Sequence, residues 1–126
     1  MNKSNPRNES GKFGEDRMEK FLIETNLPYT SKKNNGIDFI VHSKQDIYID
    51  IKNQNTDGSV IEKLPHMVWK YKEKYNYSKV YIVEGKKDTP ESVKKHCREI
   101  CDVYFVKFEE MRDILLEAPP KIGRFF

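Results

Sequence analysis

Gly36-Ile37-Asp38-Phe39-Ile40-Val41-His42-Ser43-Lys44-Gln45-Asp46-Ile47-Tyr48-Ile49-Asp50-Ile51-Lys52 is the stretch on which the fold turns. It reads as two strands at hairpin distance, Ile37 to His42 and Asp46 to Asn53, with Ser43-Lys44-Gln45 between them. Side chains alternate along a strand, so Ile47, Ile49 and Ile51 share one face while Tyr48, Asp50, Lys52 and Gln54 share the other. An aspartate and a lysine side by side on a half-covered strand are costly unless paired or used. Asp38 interrupts an otherwise apolar run, Ile37 to Val41, and a carboxylate there also needs a reason.

The flanking sequence supplies the other layers. Upstream, residues 1–10 are polar and read as a flexible arm. A helix is expected from Gly11 or Lys12 to Thr25, where Met18, Phe21, Leu22 and Thr25 give helical spacing and Leu27-Pro28 ends it. Tyr29 to Lys32 reads as extended, and Asn34-Asn35-Gly36 as a turn. Downstream, Asn55 to Gly58 is a loop and Val60 to Asn76 a helix with an Ile61, Leu64, Val68, Tyr71, Tyr75 stripe. Ser78 to Glu84 is a strand. Gly85 to Asp88 is a basic turn, and Thr89 caps a helix with Pro90 at its first position. Asp102 to Lys107 is the next strand, Phe108 to Leu116 the last helix, and Pro119-Pro120 opens a tail, 119–126. This order predicts one α/β (α+β) domain over residues 11–118, a mixed sheet with helices on its faces.

Composition agrees. The chain has 126 residues, enough for a single core. It is 34% charged, but 12% aromatic residues argue against disorder. Its apolar runs reach four or five residues, too short to cross a membrane, and Met1 to Ser10 lacks the apolar core of a secretory signal. An intracellular, cytoplasmic protein is expected. The net charge is only +3, yet residues 60–98 hold ten Lys and Arg against five Asp and Glu. A basic surface beside an acidic site suits a polyanion handled with a metal ion; a solvated lysine-rich surface is the plainer reading. Cys97 and Cys101, with His96, make a poor zinc set and read as two small buried thiols.

Asp38, Asp50 and Glu15 could converge at one edge of the sheet, Glu15 continuing the apolar face of the first helix by one turn. Carboxylate oxygens of this kind bind Mg²⁺ or Mn²⁺, with water and phosphate completing the shell. Lys52 beside them would orient or deprotonate a water and offset charge growing on phosphate. The plainer alternatives are an edge-strand ion pair for Asp50 and Lys52, a turn-capping aspartate at Asp38 and a helix-dipole acid at Glu15.

Taken together, Gly11-Lys12-Phe13-Gly14-Glu15, Gly36-Ile37-Asp38-Phe39-Ile40 and Asp50-Ile51-Lys52 resemble the PD-(D/E)XK nuclease superfamily, and the element order is similar to its αβββαβ core. Gln54 to Pro65 is similar to a stretch of some restriction-enzyme-like members. The residue before Asp38 is Ile37, where many members have proline. The resemblance implies Mg²⁺-dependent hydrolysis of DNA phosphodiesters (Mn²⁺ substituting), leaving 5′-phosphate and 3′-hydroxyl ends. Asp38 and Asp50 match its carboxylates, Lys52 its lysine and Glu15 its helix glutamate. It implies a restriction-endonuclease-like enzyme, with a Holliday-junction resolvase or a non-catalytic DNA-binding module as alternatives; an RNA substrate stays open.

Duplex or branched DNA would then meet Lys63, His66, Lys70 and Lys74 on one side of the helix after the Asp50 strand, Gly58-Ser59 at its start, Gln54, and Lys86 and Lys87. His66 reads as a polar-face residue rather than a ligand, and Trp69, Tyr71, Tyr75 and Tyr77 as core. One site per domain favours a homodimer for cutting two strands. Ile122 to Phe126 would serve as a dimer contact or an intrachain clamp.

Overall fold

A computed structural model describes residues 6–31, 36–52 and 59–118, and of residues 6–13 and 59–62 the backbone alone. Among these residues, helix α1 (Pro6–Glu24) precedes strands β1 (Tyr29–Ser31), β2 (Phe39–Val41) and β3 (Ile47–Lys52). Helix α2 (Ser59–Glu73), β4 (Lys79–Glu84), α3 (Glu91–Ile100), β5 (Asp102–Lys107) and α4 (Phe108–Glu117) complete the order. The five strands form one sheet in sequence order. The β1–β2 and β2–β3 pairs are antiparallel, while the β3–β4 and β4–β5 pairs are parallel. Parallel neighbours need crossovers, and α2 and α3 supply them. This is the mixed, helix-flanked α/β sheet that the sequence predicts.

Alternation along the strands makes two cores. Ile49 and Ile51 face α1 and α4, packing with Met18, Leu22, Met111 and Leu115. The other face, with Ile37, Val80, Ile82 and Val103, packs against Leu64, Val68 and Tyr71 of α2 and Cys97 of α3. Cys97 and Cys101 are both buried and free, as expected. Burial pushes the Cys97 thiol up to about 11. Ile37, just before Asp38, is 1% exposed and fills this second core.

Several element ends differ from expectation, and four of the differences have a clear physical cause. α1 begins at Pro6 and takes in part of the segment read as an arm; proline fits a first turn, where an N–H has no partner to lose. α1 ends at Glu24, and Asn26 just beyond it adopts φ 59°, with Leu27 N donating to Leu22 O at 3.0 Å and Asn26 N to Ile23 O at 3.1 Å. β2 starts at Phe39 rather than Ile37, because the Ile51 amide opposite donates to the Asp38 carboxylate. α3 has Pro90, not Thr89, at its cap: the Thr89 amide donates to Glu84 Oε2 at 2.7 Å and holds Thr89 in the preceding turn. Gly36 sits at φ 71° against the Tyr75 ring, in space a Cβ would overlap. The tail, 119–126, lies outside the described residues.

Candidate active site

β3 is the strand at which the sheet changes from antiparallel to parallel pairing. Its two inward polar side chains, Asp50 and Lys52, point to the α2/α3 face, opposite Ile49 and Ile51. Asp50 is 2% exposed. Lys52 Nζ lies 2.9 Å from its Oδ1 and 2.8 Å from its Oδ2. The Tyr71 hydroxyl, from α2, donates to Asp50 Oδ2 at 2.9 Å. Asp38, also buried, accepts the Ile51 amide on Oδ2 at 2.7 Å. Asp50 is close enough for its charge to act on the Asp38 carboxyl.

These contacts set the charge of the pair. Burial, then the Asp50 charge, push the Asp38 carboxyl up to about 7; the Ile51 amide and the Lys52 ammonium pull the other way. A carboxyl raised this far by burial and by a neighbouring carboxylate marks a place short of positive charge. Hard oxygen donors in that state suit Mg²⁺ or Mn²⁺, which are commonly held by one or two carboxylates with water and phosphate completing the shell. The Tyr71 phenol is pushed upward too, first by burial and then by Asp50, so it remains a donor. Its helical spacing placed Tyr71 on the apolar stripe of α2, and nothing in that spacing marks its hydroxyl as a partner of Asp50.

Glu15 is half-buried on α1, the helix that covers the opposite face of the sheet. Among the described residues no three of His, Cys, Asp and Glu gather into a set that could hold a metal ion. The structure thus brings Asp38, Asp50 and Lys52 together and adds Tyr71.

The surface candidates are spread more widely. Lys63, His66 and Lys74 are exposed on α2, Lys70 is half-buried there, and Lys86 and Lys87 are exposed in the turn after β4. Ser59 is the first residue of α2, its side chain not among those described, and Gln54 lies outside the described residues. Tyr71 and Tyr77 are core residues as expected, but Trp69 is not. It is 48% exposed and stacks on His66, ring centroids 5.9 Å apart and planes 10° from parallel. It falls off the Leu64–Val68–Tyr71 stripe, and position outweighs residue type.

A family model for the PD-(D/E)XK nuclease superfamily domain matches residues 7–98, from α1 into α3, and spans Asp38, Asp50, Lys52 and Tyr71. The chain belongs to the PD-(D/E)XK nuclease superfamily. Neither the curated proteins nor the solved structures give a match. The match takes in the sheet through β4, so the acidic pair of this nuclease-superfamily domain and the turn after β4 both lie inside it. Among the described residues no helix is long and apolar enough to cross a membrane.

Proposed function

We propose that this PD-(D/E)XK protein is a divalent-metal-dependent DNA endonuclease of restriction-like type. The observation that carries the reading is the burial of two neighbouring aspartates, Asp38 and Asp50, with Lys52 paired to Asp50. Asp38 and Asp50 would hold Mg²⁺; Glu15, on the helix that covers the other face, is not among the residues brought to them. The ion, when bound, supplies positive charge beside the phosphate and makes water more acidic. Asp38 would be ionised when it holds the ion, its proton passing to solvent. Lys52, beside Asp50, would orient the attacking water and offset charge on the phosphate in line with it. The Tyr71 hydroxyl keeps its hold on Asp50 Oδ2 and so fixes the angle of that carboxylate. Lys63, His66, Lys70, Lys74, Lys86 and Lys87, with Ser59 and Gln54, are the proposed contacts to DNA, and a homodimer is the proposed cutting unit.

Asp50→Ala and Lys52→Ala are expected to lose cleavage in Mg²⁺ and in Mn²⁺ while duplex DNA binding survives. Incubation with linear duplex, a four-way junction and single-stranded DNA checks this. Duplex cutting supports the restriction-like reading, and cutting of the junction alone moves the assignment to a resolvase. Normal cleavage by either variant, or retention of DNA by the wild type with no cleavage in either metal, removes the assignment.

A further inference from the structure

The turn between β4 and α3 is held from three sides, by β3, by Glu84 at its start and by Lys107 of β5. Gly85 N donates to Lys52 O at 3.2 Å, so the turn starts one hydrogen bond from the lysine of the site. Lys52, Glu84 and Lys107 stand in register at the carboxyl ends of three parallel strands, their side chains on one face. Glu84 is buried, accepts the Thr89 amide at 2.7 Å and has Lys94 Nζ at 3.6 Å. It closes the far end of the turn. Lys107 Nζ donates to Gly85 O at 2.7 Å and pairs with Asp88 at 2.6 Å. The Lys107 hydrogen bond and charge hold the Asp88 carboxyl below the usual carboxylate range.

Both acids of residues 84–88 are therefore matched by lysines from other elements, and the segment with those partners keeps a net positive charge. Its exposed tip is Lys86-Lys87. A buried glutamate is expensive unless it is satisfied. This one is satisfied by shaping a surface turn, and the turn lies beside the residue that would face the scissile phosphate. A turn whose backbone is already held has little backbone freedom left to lose when an anion arrives.

We infer that the Gly85–Thr89 turn is a preformed clamp for the phosphodiester backbone, in which Lys86 and Lys87 grip the strand next to the phosphate presented to Asp38, Asp50 and Lys52. This deepens the endonuclease reading and rests on it only for the identity of that phosphate.

Fluorescence anisotropy with a labelled duplex in EDTA, across a salt series, separates binding from cutting. Lys86→Ala/Lys87→Ala is expected to weaken binding and to reduce the slope of log K against log salt by about 2. The control is Lys44→Ala/Lys79→Ala, the same charge loss at the opposite ends of the same strands, where the slope is expected to hold. Equal loss from both pairs, an unchanged slope in Lys86→Ala/Lys87→Ala, or no DNA binding by the wild type overturns the clamp. The two readings fail separately. A wild type that cuts DNA while the first pair keeps its slope sinks the clamp alone, and a slope loss in a protein that cuts nothing sinks the endonuclease alone.

Discussion

Asp50 is engaged from two elements at once, by Lys52 of its own strand and by Tyr71 of α2. Tyr71→Phe removes one donor and almost no volume. It is expected to cost about 1 kcal/mol of stability and to lower Mn²⁺ affinity about tenfold; calorimetric titration with Mn²⁺ reads the second. Unchanged affinity would leave Tyr71 as packing only. Asp38 gives a pH prediction of definite sign. Its carboxyl lies near 3.8 unfolded and is raised to about 7 in the fold. Below pH 4 both states hold the proton. Between pH 4 and 7 the folded state holds it and the unfolded state has released it, so the stability it contributes declines as pH rises and is lost above 7. Melting of the metal-free protein is expected to fall across that window. Asp38→Asn, which can still accept the Ile51 amide, is expected to flatten the profile and to gain roughly 2 kcal/mol at pH 8, while Mn²⁺ binding disappears. A wild-type profile that rises or stays flat from pH 4 to 7 contradicts this.

At the scale of elements, Gly36 shows how a turn serves the site. Its positive φ and the Tyr75 ring leave no room for a side chain, and it leads directly into Ile37 and Asp38. Gly36→Ala is expected to destabilise by more than about 1 kcal/mol, measured by urea unfolding, and to weaken Mn²⁺ binding through displacement of Asp38. The strands and their faces were legible in the sequence because period-two alternation is local: Ile47, Ile49 and Ile51 against Asp50 and Lys52 could be read without knowing any partner. What escaped reading is non-local. Asp38 meets the Ile51 amide thirteen residues on, Tyr71 reaches Asp50 from twenty-one residues away, and Glu84 draws the Thr89 amide out of its capping position. Each contact joins residues of different elements or the two ends of a turn, which spacing along one element does not encode. Trp69 escaped for the opposite reason: indole chemistry suggested a core that its place on the helix denies it.

At the scale of the whole molecule, the described residues bring together one acidic pair, on one face of one sheet, and such a site acts on one phosphate at a time. Cutting both strands of a duplex then requires a second copy, and closed two-fold symmetry is the commonest way to bring one. Supercoiled plasmid with Mg²⁺ separates the cases. A homodimer converts supercoiled circles to linear DNA with little nicked circle along the way, because both strands are cut in one encounter. Mixing wild type with excess Asp50→Ala then gives hybrids with one working site, and nicked circles are expected to accumulate in proportion to the hybrid fraction. A monomer instead passes through nicked circles under all conditions, and the inactive variant merely slows it by competing for DNA. Accumulation of nicked circles by the wild type alone, unchanged on raising its concentration, would therefore remove the homodimer while leaving the Asp38–Asp50–Lys52 site as the cutting centre.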